Sequence, residues 1–503
     1  MSAQTPAVQT PGAQTPAVQA PAAQDFPAEG RVHFLGIGGV GVSGVARILQ
    51  DQGVPVSGTD AKDLPVMHQL AQGGARITVG YAAENVGEDV SCVIASSIAG
   101  PGNPEYDAAA ARGLPMMHRS EGLALAMRGH RVLAVAGTHG KTTTSSMAAM
   151  AFTEAGWRPT FAVGAAVAGL GTNAAHGEGE WFVAEADESD GTLVNYPTTV
   201  AIVTTVEADH LDHYGTEEAV HEVFRTFAGQ LPASEDGGAL IACLDDDGAA
   251  ALAAWARDEA RCRVLTYGTA ERDGVRPDLV VAETLVDPGE SGVGQRVRYE
   301  LADGTVLSVR LQLPGTHNAL NAAAVLLAAL QAGIEPQAAA AGLEAFGGTA
   351  RRFEFRGAGR GVRVFDDYAH HPTEVAAAVS AARAVAGQSR VHVLFQPHLF
   401  SRTRDFAAEF AAALSGADRV RVLEVYAARE EPMEGVDSSL IAARLTTADA
   451  ADRTVASDPE QAVADLVAGA EPGDVILTMG AGDVTALGPS IVAALSAGAD
   501  VSA

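Results

Sequence analysis

The residues with the clearest capacity for chemistry lie in one glycine turn, Gly137-Thr138-His139-Gly140-Lys141-Thr142-Thr143-Thr144, directly after the apolar run Val132–Ala136. In such a turn Gly140 lets backbone amides wrap a phosphate, the Lys141 ammonium reaches β- and γ-oxygens, and the Thr142 hydroxyl ligates Mg²⁺ where a helix begins. The strict phosphate-loop pattern asks for glycine at 135, where Val135 stands, so the pattern fails by one position while its working parts survive. Two acid words follow, each after an apolar run: Glu185-Ala186-Asp187-Glu188-Ser189-Asp190, and Glu207-Ala208-Asp209-His210-Leu211-Asp212-His213. Carboxylates at strand ends downstream of a phosphate loop are where a hard cation bridging nucleotide oxygens is held, so Mg²⁺ is implied.

An earlier turn, Gly36-Ile37-Gly38-Gly39-Val40-Gly41, matches G-x-G-x-x-G between a strand and a helix. Gly36 allows the turn, Gly38 lets amides approach a diphosphate, and Gly41 lets helix and strand pack closely. Asp60 follows the second strand, where a dinucleotide enzyme often holds a ribose, so NAD is the reading from pattern alone. A third set comprises Arg351-Arg352-Phe353, the stretch from Asp366 to Glu374 with Tyr368, His370 and His371, and Gln396-Pro397-His398-Leu399-Phe400-Ser401-Arg402-Thr403-Arg404. Both histidine-bearing stretches sit just past strand-like runs and so converge on one crevice, where arginines grip phosphate or carboxylate. Each histidine taken alone fits a structural imidazole about equally well.

The elements that must carry these words read as three α/β units. Strands are expected at 32–35, 54–57 and 90–95, then at 131–136, 181–184 and 200–204, then at 362–365, 391–395, 419–423 and 474–477, with helices at about 41–50 and 318–330. Between 264 and 312 short strand-like runs alternate with Gly/Asp turns. A chain of 503 residues is long enough for about three domains, each with its own core. Residues 1–29 repeat Gln-Thr-Pro and Pro-Ala-Val-Gln almost without charge and read as a disordered tail, lacking the basic start and apolar run of a secretory signal. Lys plus Arg number 33 against 62 Asp plus Glu, a net charge of −29 that repels phosphate backbones and anionic lipid, so neither nucleic acid nor membrane insertion is expected. Three cysteines without a C-x-x-C pair indicate neither a disulfide framework nor a zinc site and fit a reducing cytoplasm.

Taken together and in order, these words resemble the Mur ligase family from Arg31 onward. The matching words are His33 to Gly41, Gly137 to Thr144, Glu185 to Gly191, Asp209-His210-Leu211-Asp212, Leu313-Pro314-Gly315-Thr316-His317-Asn318, Arg351-Arg352-Phe353, Asp366 to Glu374, Gln396-Pro397-His398 and Gly480-Ala481-Gly482-Asp483. The resemblance implies an α/β protein of three domains: a Rossmann-like UDP-sugar domain at 30–129, a central ATPase with a mainly parallel sheet at 130–346, and a Rossmann-like domain at 347–503 that receives the amino acid. It implies ligation of L-alanine to the lactyl carboxylate of UDP-N-acetylmuramate, with ATP and Mg²⁺, by a monomer or homodimer. By the same resemblance the first loop (Gly36, Gly38, Gly39, Gly41, with Asp60 and His139) serves a UDP-sugar rather than NAD. ATP is then served by Gly137, Thr138, His139, Gly140, Lys141, Thr142, Thr143, His317, Asn318, Asn321 and Arg352. Thr142, Glu185 and His210 serve the metal, and Tyr368, His370, His398 and Arg402 orient the amino acid and the carboxylate. Lys141 and Arg352 would stabilise the transferring phosphoryl group, while His370 and His398 complete the catalytic set. The chain departs from the family pattern at Thr205-Val206, usually Asn-Ile, at Leu399, often arginine, and at Tyr426-Ala427-Ala428, commonly Tyr-Pro-Ala.

Three other readings compete. An NAD(P)-dependent oxidoreductase uses the first loop but leaves Lys141 and the acid words idle. A nucleotide-binding regulatory protein uses only the phosphate loop. A ligase that recycles murein tripeptide onto the same sugar nucleotide carries similar loops.

Overall fold

The computed structural model describes residues 30–95, 99–287, 293–428, 430–446 and 455–497, and the expected tail at 1–29 lies outside them. Three sheets follow one another along the chain. The first is wholly parallel, in the order β3 (Arg76–Val79), β2 (Val56–Asp60), β1 (Arg31–Leu35), β4 (Val90–Ala95), β5 (Met116–His118). In that order the chain reverses direction beside β1, at whose C-terminal end the glycine turn opens the helix Val40–Asp51.

The central sheet has ten strands: β6 (Arg131–Ala136), β7 (Thr160–Ala162), β8 (Ala174–Ala175), β9 (Trp181–Glu185), β10 (Val200–Val203), β11 (Ala239–Cys243), β12 (Arg263–Gly268), β13 (Leu279–Val286), β14 (Gln295–Leu301) and β15 (Val306–Leu311). Strand β6 pairs in parallel with β9 on one side and β10 on the other, so the phosphate turn and both acid words emerge at one sheet edge. These strands are continuous apolar runs because both faces are covered, as in β10 and β11, where every residue is buried. The alternating region after 264 forms β12, parallel to β11, and then the antiparallel strands β13 to β15.

In the third sheet the order is β16 (Glu354–Gly359), β17 (Val362–Asp367), β21 (Val475–Met479), β18 (Val391–Phe395), β19 (Arg419–Leu423), β20 (Val455–Ala456). Alternate residues of its strands face opposite layers: Phe365, Val393, Phe395 and Leu477 join one apolar cluster, while Val364, Leu394 and Ile476 join another. The first and central lobes share a continuous core that runs from Phe34 and Ile48 to Val135 and Phe182. Cys92, Cys243 and Cys262 are buried free thiols. Among the described residues no helix is long and apolar enough to cross a membrane.

Candidate active site at the meeting of three lobes

Local backbone geometry at the phosphate turn follows from two glycines. Gly137 and Gly140 take φ of +128° and +83°, and a Cβ at Gly137 would collide with Thr204. The turn delivers the chain into the helix Lys141–Glu154, whose free N-terminal amides favour an anion. Thr205 braces the turn: its Oγ1 accepts the His139 amide at 2.9 Å, and its carbonyl accepts the Thr138 amide at 2.9 Å. The departure from the usual asparagine therefore keeps a side-chain acceptor at that position. Lys141 Nζ donates to the carbonyls of Gly137 at 2.7 Å and Thr138 at 3.1 Å and pairs with Glu188 at 2.8 Å. Burial works against the Lys141 charge, but Glu188, Asp187 and Glu185 outweigh it and raise its pKa, so the ammonium stays protonated. Burial pushes Glu188 up to about 7.

Thr142 and Glu185 meet directly. The Thr142 hydroxyl donates to Glu185 Oε1 at 3.1 Å, and the Gly164 amide donates to Glu185 Oε2 at 2.7 Å. A Cβ on Gly164 would lie 2.7 Å from Thr142 Oγ1 and 2.7–2.8 Å from both Glu185 oxygens, so glycine keeps this oxygen-lined cradle open. Hydroxyl and carboxylate oxygens fit a hard divalent cation, and Glu188, paired with Lys141, adds a buried carboxyl nearby. His210 sits at φ +55° and faces Glu188 at 3.8 Å and Asp209 at 3.7 Å, so it joins the cluster through the second acid word. Burial lowers the His210 pKa, leaving a neutral imidazole suited to ligation.

The phosphate turn separates two crevices. One is lined by His139, Gly140 and Thr143 together with His317, Asn318, Asn321 and Arg352, seven of the eleven residues expected around ATP; Gly137, Thr138, Lys141 and Thr142 stand outside its lining. Burial pushes His317 down to about 4, so it is neutral, and Asn318 Nδ2 donates to the Pro314 carbonyl at 2.8 Å, bracing the start of its own helix. The other crevice lies between the first and central lobes. Gly36, Gly39, Gly41 and Asp60 line one wall, and Gly164, Glu185 and Asp187 the opposite one. Asp60 Oδ2 accepts the Gly38 amide at 3.1 Å, and a Cβ on Gly38 would lie 2.9 Å from that oxygen, so Asp60 holds the glycine turn itself.

From the third lobe Tyr368, His370, His398 and Arg402 converge on this centre. Arg351 and Arg352 lie over the Tyr368 ring at 4.8 and 5.3 Å, and the His370 ring is 5.2 Å from Tyr368 and 6.0 Å from His398. Arg402 reaches Asp209 of the central lobe at 3.5 Å. Despite burial, the Arg402 guanidinium and the His210 backbone amide, which donates to Asp209 at 2.7 Å, hold Asp209 at about 2. Burial pushes His370 down to about 4; it is a neutral imidazole at neutral pH, with Nδ1–H facing the Tyr368 carbonyl at 3.1 Å, and is a weak base for an ammonium group, which favours positioning over proton removal. Leu399 is buried at φ +71°, with its amide donating to the Tyr426 carbonyl at 3.0 Å, and it starts the helix that carries Arg402.

Several lining residues stand outside every word singled out from the sequence. Arg119 pairs with Asp187 at 3.1 Å in the crevice between the first and central lobes, beside Tyr196, and Tyr267 lines the crevice that holds His317. Glu374 lies within a recognised word, but its link to His139 at 3.3 Å joins positions far apart in the chain. A charged residue directly following β5 was the only local signal for Arg119.

Comparison with known proteins completes the site's description. Models of the Mur ligase family match residues 31–131 (Mur ligase family, catalytic domain), 135–329 (Mur ligase middle domain) and 351–482 (Mur ligase, glutamate ligase domain). The chain belongs to the Mur ligase family. Among its relatives, the UDP-N-acetylmuramate--L-alanine ligase of Paenarthrobacter aurescens is 57% identical over 466 residues, covering 93% of this chain and 97% of the relative. A Mycobacterium protein of the same name is 50% identical, covering 93% and 96%. Among solved structures, the UDP-N-acetylmuramate-alanine ligase of Thermotoga maritima superposes with a TM-score of 0.73 at 25% identity, covering 92% of this chain and 98% of that one. A murein peptide ligase of Psychrobacter arcticus shares the fold, with a TM-score of 0.64 at 23% identity over 93% and 98%. Mur ligase membership removes the pattern-based case for NAD at the first glycine turn, and with it the oxidoreductase reading.

Proposed function

We propose that this Mur ligase joins L-alanine to the lactyl carboxylate of UDP-N-acetylmuramate, converting ATP to ADP and phosphate by way of an acyl phosphate. The observation that carries this reading is the placement of one phosphate turn between two crevices: the face with Gly140 and Thr143 looks onto the purine-nucleotide side, and Thr142 with Glu185 borders the sugar-nucleotide side. A triphosphate and a diphosphate sugar then meet where phosphoryl transfer is needed. High identity to relatives that bear the alanine ligase name supports the same substrates over the tripeptide reading.

Carboxylate is a poor acyl donor because oxide would have to leave, so it must first be activated. A lactyl carboxylate oxygen attacks the γ-phosphorus of ATP and ADP departs. Lys141 and Arg352 stabilise the charge on the transferring group, Lys141 by exchanging its Glu188 partner for phosphate oxygens. Thr142, Glu185 and His210 would hold Mg²⁺, which when bound supplies Lewis-acid neutralisation of the phosphate charge. The amine of L-alanine then attacks the acyl carbon, and phosphate leaves with one former carboxylate oxygen. Tyr368, His370, His398 and Arg402 orient the amino acid and the acid group, and docking of the third lobe excludes water that would hydrolyse the acyl phosphate. His317, Asn318 and Asn321 hold the base and ribose, and Gly36, Gly38, Gly39 and Gly41 the sugar diphosphate. The lobe limits this reading uses, 129/130 and 346/347, fall between sheets, since β5 ends at His118, β6 starts at Arg131 and β16 starts at Glu354.

The test is mass spectrometry of the product formed from UDP-N-acetylmuramate, ATP and Mg²⁺ with alanine and murein tripeptide in equal supply. A product heavier by one alanine residue is expected; tripeptide addition or the absence of any adduct would overturn the reading.

A further inference from the structure

We propose that the central and third lobes together build a second metal site, apart from the Thr142–Glu185 cradle, in which His139, Glu207 and His371 bind a divalent cation of the zinc class. Each of the three offers a ligand atom, and these atoms lie within 4.8 Å of one another. His139 and His371 face each other with ring centroids 4.8 Å apart and planes tilted by 31°. His371 is 6% exposed, and neither of its ring nitrogens has a hydrogen-bond partner. His139 Nε2 is likewise buried without one and looks toward Glu207 Oε2 at 3.6 Å. Buried imidazole nitrogens left without partners are costly, and one from each ring, brought within 4.8 Å of the other and of a Glu207 oxygen, points to a ligand they share.

The surroundings orient the ligand atoms. His139 Nδ1–H donates to Glu374 at 3.3 Å, which fixes the ring, and a cation that displaces the second ring proton is taken at Nε2, an arrangement common around protein-bound zinc. The Thr373 hydroxyl donates to Glu207 Oε2 at 2.9 Å. Two imidazoles and one carboxylate match a zinc set with an open fourth position, whereas Mg²⁺ prefers oxygen ligands. Ligands of a tetrahedral zinc lie about 3.4 Å apart, so closing on the ion takes side-chain shifts of about 1 Å, which the unpaired rings permit. His139 and Glu207 belong to the central lobe and His371 directly precedes the third-lobe helix Pro372–Ala386. A cation at this place therefore fastens one lobe to the other and selects their docked arrangement.

Zinc chloride titrated into the full chain without nucleotide, in competition with a chromophoric chelator, should fill a single high-affinity site. His371→Gln and Glu207→Gln should each weaken it by about tenfold or more, while His210→Ala should leave it unchanged. X-ray absorption at the zinc edge of the unaltered chain should report two imidazole ligands, a readout independent of turnover and of how the variants fold. Absence of zinc uptake, an affinity that follows His210, sulfur ligation at the edge, or undiminished binding in either His371→Gln or Glu207→Gln would overturn the proposal.

Discussion

Lys141 carries the largest single electrostatic role in the proposed reaction, and it is already protonated and held by Glu188 at 2.8 Å before any phosphate arrives. Replacing it with alanine removes a charge directed at the transferring group. Lys141→Ala should therefore lose about 3 kcal/mol of transition-state stabilisation, the scale of a deleted oxyanion donor, seen as a fall of two orders of magnitude or so in substrate-dependent ADP release. Normal turnover by that variant would place the chemistry elsewhere. His370, placed in the catalytic set by the family resemblance, is a contrasting case at the same scale: burial leaves it neutral with a pKa of about 4, and its Nδ1–H faces the Tyr368 carbonyl at 3.1 Å. Its ring orients neighbours rather than storing a proton.

Among the elements, the turn after β10 supports the turn after β6 through the Thr205 hydroxyl. Thr205→Ala would strand the His139 amide in a part-buried loop, and a loss of about 1–2 kcal/mol in thermal or denaturant unfolding is expected, with Thr205→Asn recovering most of it. Equal stability of the alanine variant would mean that the turn stands without this brace. Strands such as β18 and β19 were readable to the residue because short valine-rich runs, in β19 alternating with arginine, bounded by polar residues admit little else. Strand β8, two residues long, and β16, mostly half-buried with two glycines among six residues, lacked any such run. The direction of β13 to β15 was also hidden, since alternation with Gly/Asp turns marks strands without saying which way they pair. For the site, the words at 137–144, 185–190 and 366–374 were legible because loop chemistry needs particular residues at short spacing. Arg119, Tyr196 and Tyr267 were not, because only the packing of separate lobes brings them to a crevice wall.

At the scale of the whole molecule, the third lobe meets the central one through polar contacts: His139 with Glu374, Thr373 with Glu207, and Arg402 with Asp209. Burial alone would lower the His139 pKa, but Glu207 and Glu374 outweigh it and hold it at about 9 against an ordinary 6.5. When the lobes part, Glu374 departs and the value falls, so the docked form binds this proton more tightly. The docking free energy contributed by His139 is then present at neutral pH and lost over the window in which pH rises through about 9. Small-angle scattering of the nucleotide-free chain should show the radius of gyration growing across that window; a constant radius, or expansion only on acidification, would contradict the role of this contact. Docking matters because the acyl phosphate must form and be consumed between lobes. The most direct test of that central claim starts from UDP-N-acetylmuramate labelled with oxygen-18 in its lactyl carboxylate. The account predicts one labelled oxygen in the orthophosphate released with each amide formed, and orthophosphate free of label would contradict it.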